Sequence, residues 1–329
     1  MEQDLKMGPH DVGGEDGDPI DTNDSGMTHW EKFSNGLRIA VSASKVVTLD
    51  ELRCSAESFG DDYFKMPYFE RNGLALVHRC LERQLFTDDE LKAARESAEI
   101  RFNVPVIDLP NPESFTHLHD GEPHHDHEND FQEDEAGEGP PGYYFDMLAV
   151  ADLLVDRGLI TMASVQQKIE QFDNVFPARG IAVVAKAWSD PKFRDFLVRD
   201  AKNAIIDMGL QLESFADIIC MPQSNDTHHM VVCTLCSCYP RSLLGMPPSW
   251  YKSRSYRSRV VHEPRAVLAE FGTIVPDNVE VRVHDSNADM RYLILPQRPK
   301  GTDDWSEADL GKLISRDHLV GVRVPEDVI

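Results

Sequence analysis

Residues 232–240 read Val-Cys-Thr-Leu-Cys-Ser-Cys-Tyr-Pro and place three thiols within six positions, in a Cys-x-x-Cys-x-Cys pattern. Thiols this close together can converge on one metal ion without ligands from elsewhere in the chain. Because only Ser237 separates Cys236 from Cys238, the amide nitrogens of Ser237 and Cys238 also lie between the sulfurs. Thiolates and deprotonated amides suit a low-spin trivalent ion better than zinc, which favours four tetrahedral side-chain ligands.

Two other uses of the cysteine cluster stay open on residue chemistry alone. A zinc site needs a fourth ligand, for which His228, His229 and His262 are the nearby candidates. A thiol redox pair needs only Cys-x-x-Cys and leaves the third cysteine unexplained. The isolated Cys80 and Cys220 lie on apolar stretches, where burial as small hydrophobic side chains is expected.

The charge of the chain excludes several kinds of partner. Its 329 residues carry a formal net charge of −24, and so acidic a surface repels nucleic acid phosphates and anionic membranes. No apolar run reaches the roughly 20 residues of a membrane span, and the first residues lack the basic and apolar regions of a signal peptide. We expect a cytoplasmic protein that binds neither nucleic acid nor membrane.

The composition predicts an α+β protein in three parts: a mostly helical domain at 1–103, a linker at 104–142, and a domain at 143–329 with helices and a small mixed sheet. The first 29 residues are rich in Gly, Asp and Pro, which predicts an extended arm rather than a packed element. Thr-x-x-Glu capping boxes at 48–51 and 87–90 predict two helix starts.

Strand signals are confined to the last third of the chain. Residues 230–233 are short and β-branched. Residues 279–284 alternate, a polar turn follows, and residues 290–295 are apolar, a pattern that predicts a hairpin. Residues 318–324 predict one more strand.

The linker is acidic and contains histidines. Because His-rich tracts bind metals, these residues are interpreted either as metal ligands or as part of a solvated tether. They are His117, His119, His124, His125 and His127.

The cysteine stretch closely resembles the metal-binding signature of the nitrile hydratase α subunit, in the cobalt-type form with threonine at position 234. The resemblance runs from about residue 143 to the C-terminus and includes the segments 184–191, 250–252, 263–270 and 295–299. The first hundred residues resemble the N-terminal helical half of the β subunit, through the segments 10–14, 30–32, 49–53 and 68–70. The chain thus resembles a β-to-α fusion across the acidic linker.

The resemblance implies Co(III), rather than Fe(III), held by the sulfurs of Cys233, Cys236 and Cys238 and by the amide nitrogens of Ser237 and Cys238. It also implies oxidation of Cys236 to sulfinate and of Cys238 to sulfenate. Oxygenated sulfur donates less strongly and raises the Lewis acidity of the metal, and a cation lowers the pKa of its bound water. The implied activity is hydration of a nitrile to an amide. The alternative is thiocyanate hydrolysis to carbonyl sulfide and ammonia, as in the related thiocyanate hydrolase.

Arg53 and Tyr68 complete the implied catalytic group together with Cys238. Arg53 matches a β-subunit arginine that pairs with the oxygenated sulfurs, since bidentate pairing with oxyanions is arginine chemistry. The alternative interpretation is an ordinary exposed helix arginine. Tyr68 matches a pocket tyrosine that orients the metal-bound species, and the alternative is a core aromatic residue.

Three positions indicate an altered substrate pocket. Phe69 and Asn72 stand where many nitrile hydratases have tyrosine and tryptophan. Arg241 resembles the corresponding residue of thiocyanate hydrolase, where a cation could attract an anion such as thiocyanate. The alternative for Arg241 is a structural salt bridge in a very acidic protein.

The resemblance also has a gap. A nitrile hydratase β subunit ends in a small β-barrel, and no such segment lies between residues 100 and 142. We therefore expect a separate β-barrel subunit that supplies a second arginine, and an oligomeric assembly. A rival of another class is a non-catalytic cobalt-loading protein, because maturation factors of the family resemble the β N-terminal half. A structural zinc protein is the remaining alternative.

Overall fold

The computed structural model describes residues 6–24, 26–102, 118–119, 122–123, 140–174, 177–212 and 216–328. The chain divides into two compact units. The helical unit comprises Thr28–Ala56 and Phe69–Lys168, and the metal-loop unit comprises Met1–Met27, Glu57–Tyr68 and Ile169–Ile329. None of the described helices is both long and apolar enough to cross a membrane.

The helices up to residue 174 are α1 (His29–Ala43), α2 (Leu49–Glu57), α3 (Tyr68–Glu82), α4 (Asp88–Phe102), α5 (Gly142–Asp156) and α6 (Met162–Asn174), with a 3₁₀ turn at Gly60–Asp62. The predicted capping boxes are confirmed. The Glu51 amide donates to Thr48 Oγ1 at 3.3 Å while Glu51 Oε2 accepts from the Thr48 amide at 2.8 Å. The same reciprocal pair joins Thr87 and Glu90.

Aromatic and close helix packing builds the helical unit. The ring of Tyr144 on α5 lies 5.6–5.7 Å from the rings of Trp30 and Phe33 on α1. Gly73 brings α3 close to α5, since a Cβ there would stand 3.0 Å from Met147 Sδ. The helical character expected for the first hundred residues is confirmed.

The metal-loop unit adds nine helices to the described chain: α7 (Ala178–Ser189), α8 (Pro191–Arg199), α9 (Ala201–Asp207), α10 (Arg241–Leu244), α11 (Ser249–Lys252), α12 (Arg254–His262), α13 (Pro264–Glu270), α14 (Glu307–Gly311) and α15 (Arg316–Val320). They surround a core that includes Val183, Trp250, Tyr256 and Leu293. Two short strands precede them, β1 (Leu118–His119) and β2 (Glu122–Pro123). Together these elements confirm the predicted α+β class.

Two parallel ladders replace the predicted hairpin, which is wrong. β3 (Asp217–Pro222) pairs with β6 (Met290–Leu295), and β4 (Thr227–Val232) pairs with β5 (Glu280–Asp285). The backbone explains the difference. Ser286 donates to Val232 at 2.7 Å and Asp217 donates to Asp289 at 2.7 Å, so the connection crosses between the two sheets. The alternation of polar and apolar residues along a strand shows which side chains face the core, but it does not identify the strand that pairs with it.

The strand predicted at 318–324 is also wrong. Residues Arg316–Val320 form α15, which Ser315 and His318 cap and which ends at Gly321 with φ 88°. The apolar residues of this segment face the core from a helical turn. A short apolar run does not by itself separate a buried turn of helix from a strand.

The N-terminal arm, residues 6–27, lacks helices and strands in its described part but is packed, so the expectation of an unpacked arm is wrong. Val12 and Ile20 are 1% and 8% exposed, and Ile20 belongs to the core of the metal-loop unit. The Gly14 amide donates to Ser258 O at 3.0 Å. Composition averaged over the arm does not reveal these single apolar anchors.

The predicted linker and its histidines lie almost entirely outside the described residues. The exceptions are β1 and β2, which pair antiparallel, and residues 140–142. The domain boundaries at 103 and 143 therefore stay predictions.

Candidate metal centre

The cysteine loop, residues 233–240, leaves the end of β4 and leads into α10. The Sγ atoms of Cys233 and Cys236 are 3.6 Å apart, and those of Cys236 and Cys238 are 3.3 Å apart. Two sulfurs bound at about 2.3 Å to one ion stand roughly 3.3 Å apart at a right angle and roughly 3.8 Å apart at a tetrahedral angle. The loop is therefore already spaced to hold a metal ion.

The three sulfurs are the one group of three His, Cys, Asp or Glu ligand atoms in the described chain that could hold a metal ion. The histidines considered for zinc have other partners. His228 Nε2 lies 2.8 Å from Gly321 O, His229 Nδ1 lies 2.8 Å from His284 Nε2, and His262 Nε2 lies 3.7 Å from Asp16 Oδ1. A fourth side-chain ligand for a tetrahedral zinc site is thus lacking within the described ranges.

Two thiols of the loop, those of Cys233 and Cys238, have raised pKa values in the absence of a cation. Hydrogen bonds with Cys236 and Cys238, and then burial, raise the pKa of Cys233 well above its usual value. At Cys238 the hydrogen bond with Cys233 lowers the pKa, but the bond with Cys236 and burial together raise it to about 11. Since thiolate is the ligand form, metal binding must displace these protons.

Side chains from separate segments hold the backbone carbonyls of the loop. Tyr251 donates its hydroxyl to Cys238 O at 2.8 Å, and Tyr63 donates to Leu235 O at 3.4 Å. Arg257 donates to the two carbonyls that come first in the loop, those of residues 233 and 234. A loop that makes no regular ladder must satisfy its buried carbonyls in this way.

Asp285 anchors the loop from the end of β5. It accepts from the Thr234 amide at 3.1 Å and from Thr234 Oγ1 at 2.6 Å. Burial raises the pKa of the Asp285 carboxyl. The pairing of Val232 with Asp285 places this carboxylate beside the start of the loop. Sequence reasoning missed Asp285 because the wrong hairpin concealed that two parallel strands end together, where sites in parallel sheets are commonly built.

The structure brings Tyr68 to the cysteine loop. Its hydroxyl lies 2.6 Å from Ser237 Oγ, between the second and third cysteines. The half-buried ring has Lys252 Nζ 5.5 Å from its centroid. The contact places Tyr68 beside the sulfurs, and its role at the metal centre stays a prediction.

The other predicted site residues do not all lie in the same unit. Arg53, Phe69 and Asn72 belong to the helical unit, where Arg53 Nη1 lies 3.3 Å from Asp50 Oδ1 and Phe69 is buried. Their roles at the metal centre stay predictions. Arg241 begins α10, directly after the loop, and its partly exposed guanidinium has no salt-bridge partner in the part of the chain that the structure describes. The structural salt bridge considered for Arg241 is therefore not formed there.

The isolated cysteines behave as predicted. Cys80 and Cys220 are buried, and burial raises the pKa of each thiol to about 12. They resemble small hydrophobic side chains and have no second thiol beside them.

Comparison with known proteins places both parts of the chain. Residues 144–323 match the family model "Nitrile hydratase, alpha chain", and residues 7–121 match "Nitrile hydratase beta subunit, N-terminal". The chain is 50% identical over 186 residues to the high-molecular weight cobalt-containing nitrile hydratase subunit α of Rhodococcus rhodochrous, covering 55% of this chain and 92% of the relative. It is 38% identical over 190 residues to the thiocyanate hydrolase subunit γ of Thiobacillus thioparus, covering 54% of this chain and 78% of the relative.

A solved structure agrees with these relatives. A variant of the Fe-type nitrile hydratase from Comamonas testosteroni Ni1 superposes with a TM-score of 0.53 at 36% identity, covering 55% of this chain and 90% of that one. The sulfur cluster, the fold around it and the family matches all indicate a nitrile hydratase α chain. The chain belongs to the nitrile hydratase α-chain family, with a nitrile hydratase β-subunit N-terminal region preceding the α part.

Proposed function

We propose that this chain is the metal-binding subunit of an enzyme that hydrates a C≡N bond and converts nitriles to amides. The observation that carries the proposal is the buried loop in which three sulfurs lie at the spacing of one metal ion, in a chain of this family. Cys233, Cys236 and Cys238 would bind Co(III), with the amide nitrogens of Ser237 and Cys238 as further ligands. When bound, the ion would supply Lewis acidity and a water of lowered pKa.

The residues around the loop hold and orient the reacting groups. Tyr68 bonds Ser237 Oγ, so its hydroxyl is held at the loop where a substrate would be oriented. Asp285 and Tyr251 hold the backbone at residues 234 and 238, which limits how far the sulfurs can spread. This preorganisation is the contribution that a protein makes to a metal centre.

Oxygenation of the loop is part of the proposal. Cys236 is expected as sulfinate and Cys238 as sulfenate, which correspond to mass increases of about 32 and 16 Da on the thiol. Support comes from the family membership and from the proximity of these two sulfurs. Mass spectrometry of the peptide that contains both residues checks it, and unmodified thiols in active protein would contradict it.

Arg53 is proposed to pair with the oxygenated sulfurs, with Phe69 and Asn72 in the pocket wall. Because lysine cannot donate the parallel pair of hydrogen bonds that arginine donates, R53K should lower kcat by about 10-fold or more at unchanged cobalt content. Arg79, which caps Glu51 O in the same unit, offers a matched control as R79K. Equal effects of both variants would remove Arg53 from the site.

Thiocyanate is the second candidate substrate, and Arg241 favours it. This guanidinium follows the loop directly and has no carboxylate partner among the described residues, so it is available to attract an anion. A thiocyanate hydrolase subunit is among the relatives, at 38% identity. R241Q should then raise KM for thiocyanate about 10-fold and change KM for acrylonitrile little.

A separate β-barrel subunit is proposed as partner. In the described parts of 100–142 the strands are only the two-residue β1 and β2. The relatives are themselves subunits, named α and γ. Activity that appears only when a barrel subunit is added, together with a larger assembly by light scattering, would support this layout.

Assays of the cobalt-loaded protein on acrylonitrile and thiocyanate, with and without the barrel subunit, test the proposal. Turnover of acrylonitrile and an elemental analysis showing cobalt are expected. Zinc as the sole metal would overturn the catalytic proposal. Cobalt without turnover of either substrate would favour the cobalt-loading alternative.

A further inference from the structure

Arg257 on α12 is a fully buried cation. None of its surface is exposed to solvent, which is rare for arginine and costs several kcal/mol unless the guanidinium is hydrogen-bonded. Arg257 also faces an aromatic ring, with its guanidinium carbon 5.5 Å from the centroid of Phe64. Because burying a guanidinium is costly, we expect Arg257 to have a specific structural role at this position.

The guanidinium bonds to two separate segments. Nε donates to Cys233 O at 3.1 Å and Nη2 donates to Thr234 O at 2.6 Å, both in the cysteine loop. Nη2 also donates to His10 O in the N-terminal arm at 2.9 Å. Hydrogen bonds from a charged donor are roughly twice as strong as neutral ones. One planar group therefore connects the loop to the arm.

A second contact joins the same two segments. Gly13 of the arm packs on the side chain of Thr234, since a Cβ at Gly13 would stand 3.0 Å from Thr234 Cγ2. The neighbouring Gly14 amide is bonded to Ser258 O on α12. Arm, loop and helix thus meet around Arg257, in one compact unit.

We infer that Arg257 is a positioning residue that couples residues 10–14 of the N-terminal arm to the cysteine loop, so that the seating of this segment, rather than of the arm as a whole, sets the spacing of the three sulfurs. The inference rests on the proposed function only where it concerns the bound cobalt ion. The coupling itself follows from this chain's own contacts. Lysine cannot replace Arg257, because one ammonium on a flexible stem cannot hold three carbonyls in a fixed plane.

Arg259 provides a matched control two residues further along α12. It is also buried, at 6% exposure, and Nη1 donates to Asp18 O of the arm at 3.0 Å. Its other partners are the carboxylates of Glu263 and Glu270. Arg259 therefore anchors the arm at Asp18, outside residues 10–14, whereas its hydrogen bonds and salt bridges among the described residues do not include the cysteine loop.

The test compares R257K, R259K and G13A with the parent chain. Two readouts are used: hydrogen exchange of the protein as isolated, in peptides covering 8–16 and 230–240, and the sulfur-to-cobalt absorption band after cobalt loading. In R257K both peptides should exchange about 10-fold faster or more, and the band should shift. In R259K the loop peptide and the band should stay as in the parent.

G13A keeps the test decisive if R257K folds poorly. The added methyl pushes on Thr234 while Arg257 stays intact, so the loop should again exchange faster and the band should shift. Unchanged loop exchange in R257K, or equal loop effects in R257K and R259K, would overturn the coupling. Failure of the parent chain to bind cobalt would instead overturn the proposed function, because the exchange readout does not need the metal.

Discussion

The two units of the chain are stabilised in different ways. In the helical unit, apolar and aromatic side chains pack around Tyr144, and helices satisfy most backbone groups themselves. In the metal-loop unit, the backbone of residues 233–238 is held by side chains from the segment 57–68, β5, α11 and α12. A functional loop without its own ladder needs polar side chains from elsewhere, whereas a helix does not. Substitutions in the metal-loop unit should therefore change metal content and activity, whereas substitutions in the helical unit should change the free energy of unfolding.

The largest expected effect is the loss of a sulfur. C236A removes the central thiol, which lies within 3.6 Å of both of the other two sulfurs. Cobalt content should fall below about a tenth of the parent value, and hydration should drop by about 1000-fold or more. Metal analysis and steady-state rates measure this. C220A removes a buried thiol outside the loop and should keep its metal, and a C236A variant that stays fully loaded would refute the ligand set.

Removal of the Tyr68 hydroxyl should lower the rate without removing the metal. Y68F deletes the 2.6 Å contact with Ser237, and we expect kcat to fall by roughly 10- to 100-fold at parental cobalt content. Y144F removes a comparable hydroxyl in the helical unit, where it lies 3.2 Å from His29 Nε2. If both variants lose equal activity, Tyr68 has no special role at the loop.

A packing defect in the helical unit should act on stability instead. G73A places a methyl 3.0 Å from Met147 Sδ and 3.1 Å from Ser34 Oγ, and such overpacking lowers the free energy of unfolding by about 1–3 kcal/mol. G142A is the control, because its nearest neighbour, Arg95 Nη2, would be 3.7 Å away. Urea unfolding checks this, and a changed cobalt absorption band in G73A would contradict the separation of effects.

Acid should weaken the metal-loop unit before the helical unit. Burial, together with His284 and nearby cationic groups (Arg282, His228), lowers the pKa of His229 to about 4, while Glu280 opposes the shift. The folded state therefore favours neutral His229. Its contribution to the free energy of unfolding is complete above pH 6.5 and is lost as the pH falls towards 4. Each proton taken up changes the unfolding free energy by at most about 1.4 kcal/mol per pH unit.

The helical unit provides the contrast. Hydrogen bonds from Thr48 and, to a smaller extent, Arg83 lower the pKa of Glu51 to about 2. Partial loss of solvation opposes this shift. Its contribution is complete above pH 4.5 and is lost only below that value. Urea titrations between pH 7 and 4 should show a smaller slope in H229N than in the parent chain. An identical slope would remove His229 as the source.

Structural features that depend only on residues close together in the sequence were predictable from the sequence. The three sulfurs lie within six residues, so their convergence is nearly independent of the rest of the fold. The capping boxes at Thr48 and Thr87 involve residues three apart, and they formed as predicted. Tyr68 was identified through resemblance; the structure shows its contact with Ser237, and its role stays a prediction.

Only the tertiary structure showed what holds the loop. Asp285, Arg257 and Tyr63 are between 23 and 172 residues from the loop positions they bond, and no local pattern marks them. The parallel pairing of β4 with β5 and the packing of the arm were likewise invisible to periodicity. The sequence by itself determined the convergence of the three sulfurs and the two capped helix starts, because short-range geometry creates them. Long-range contacts decided how the ligands are held, because the buried carbonyls of the loop accept hydrogen bonds from whichever donors the fold brings near.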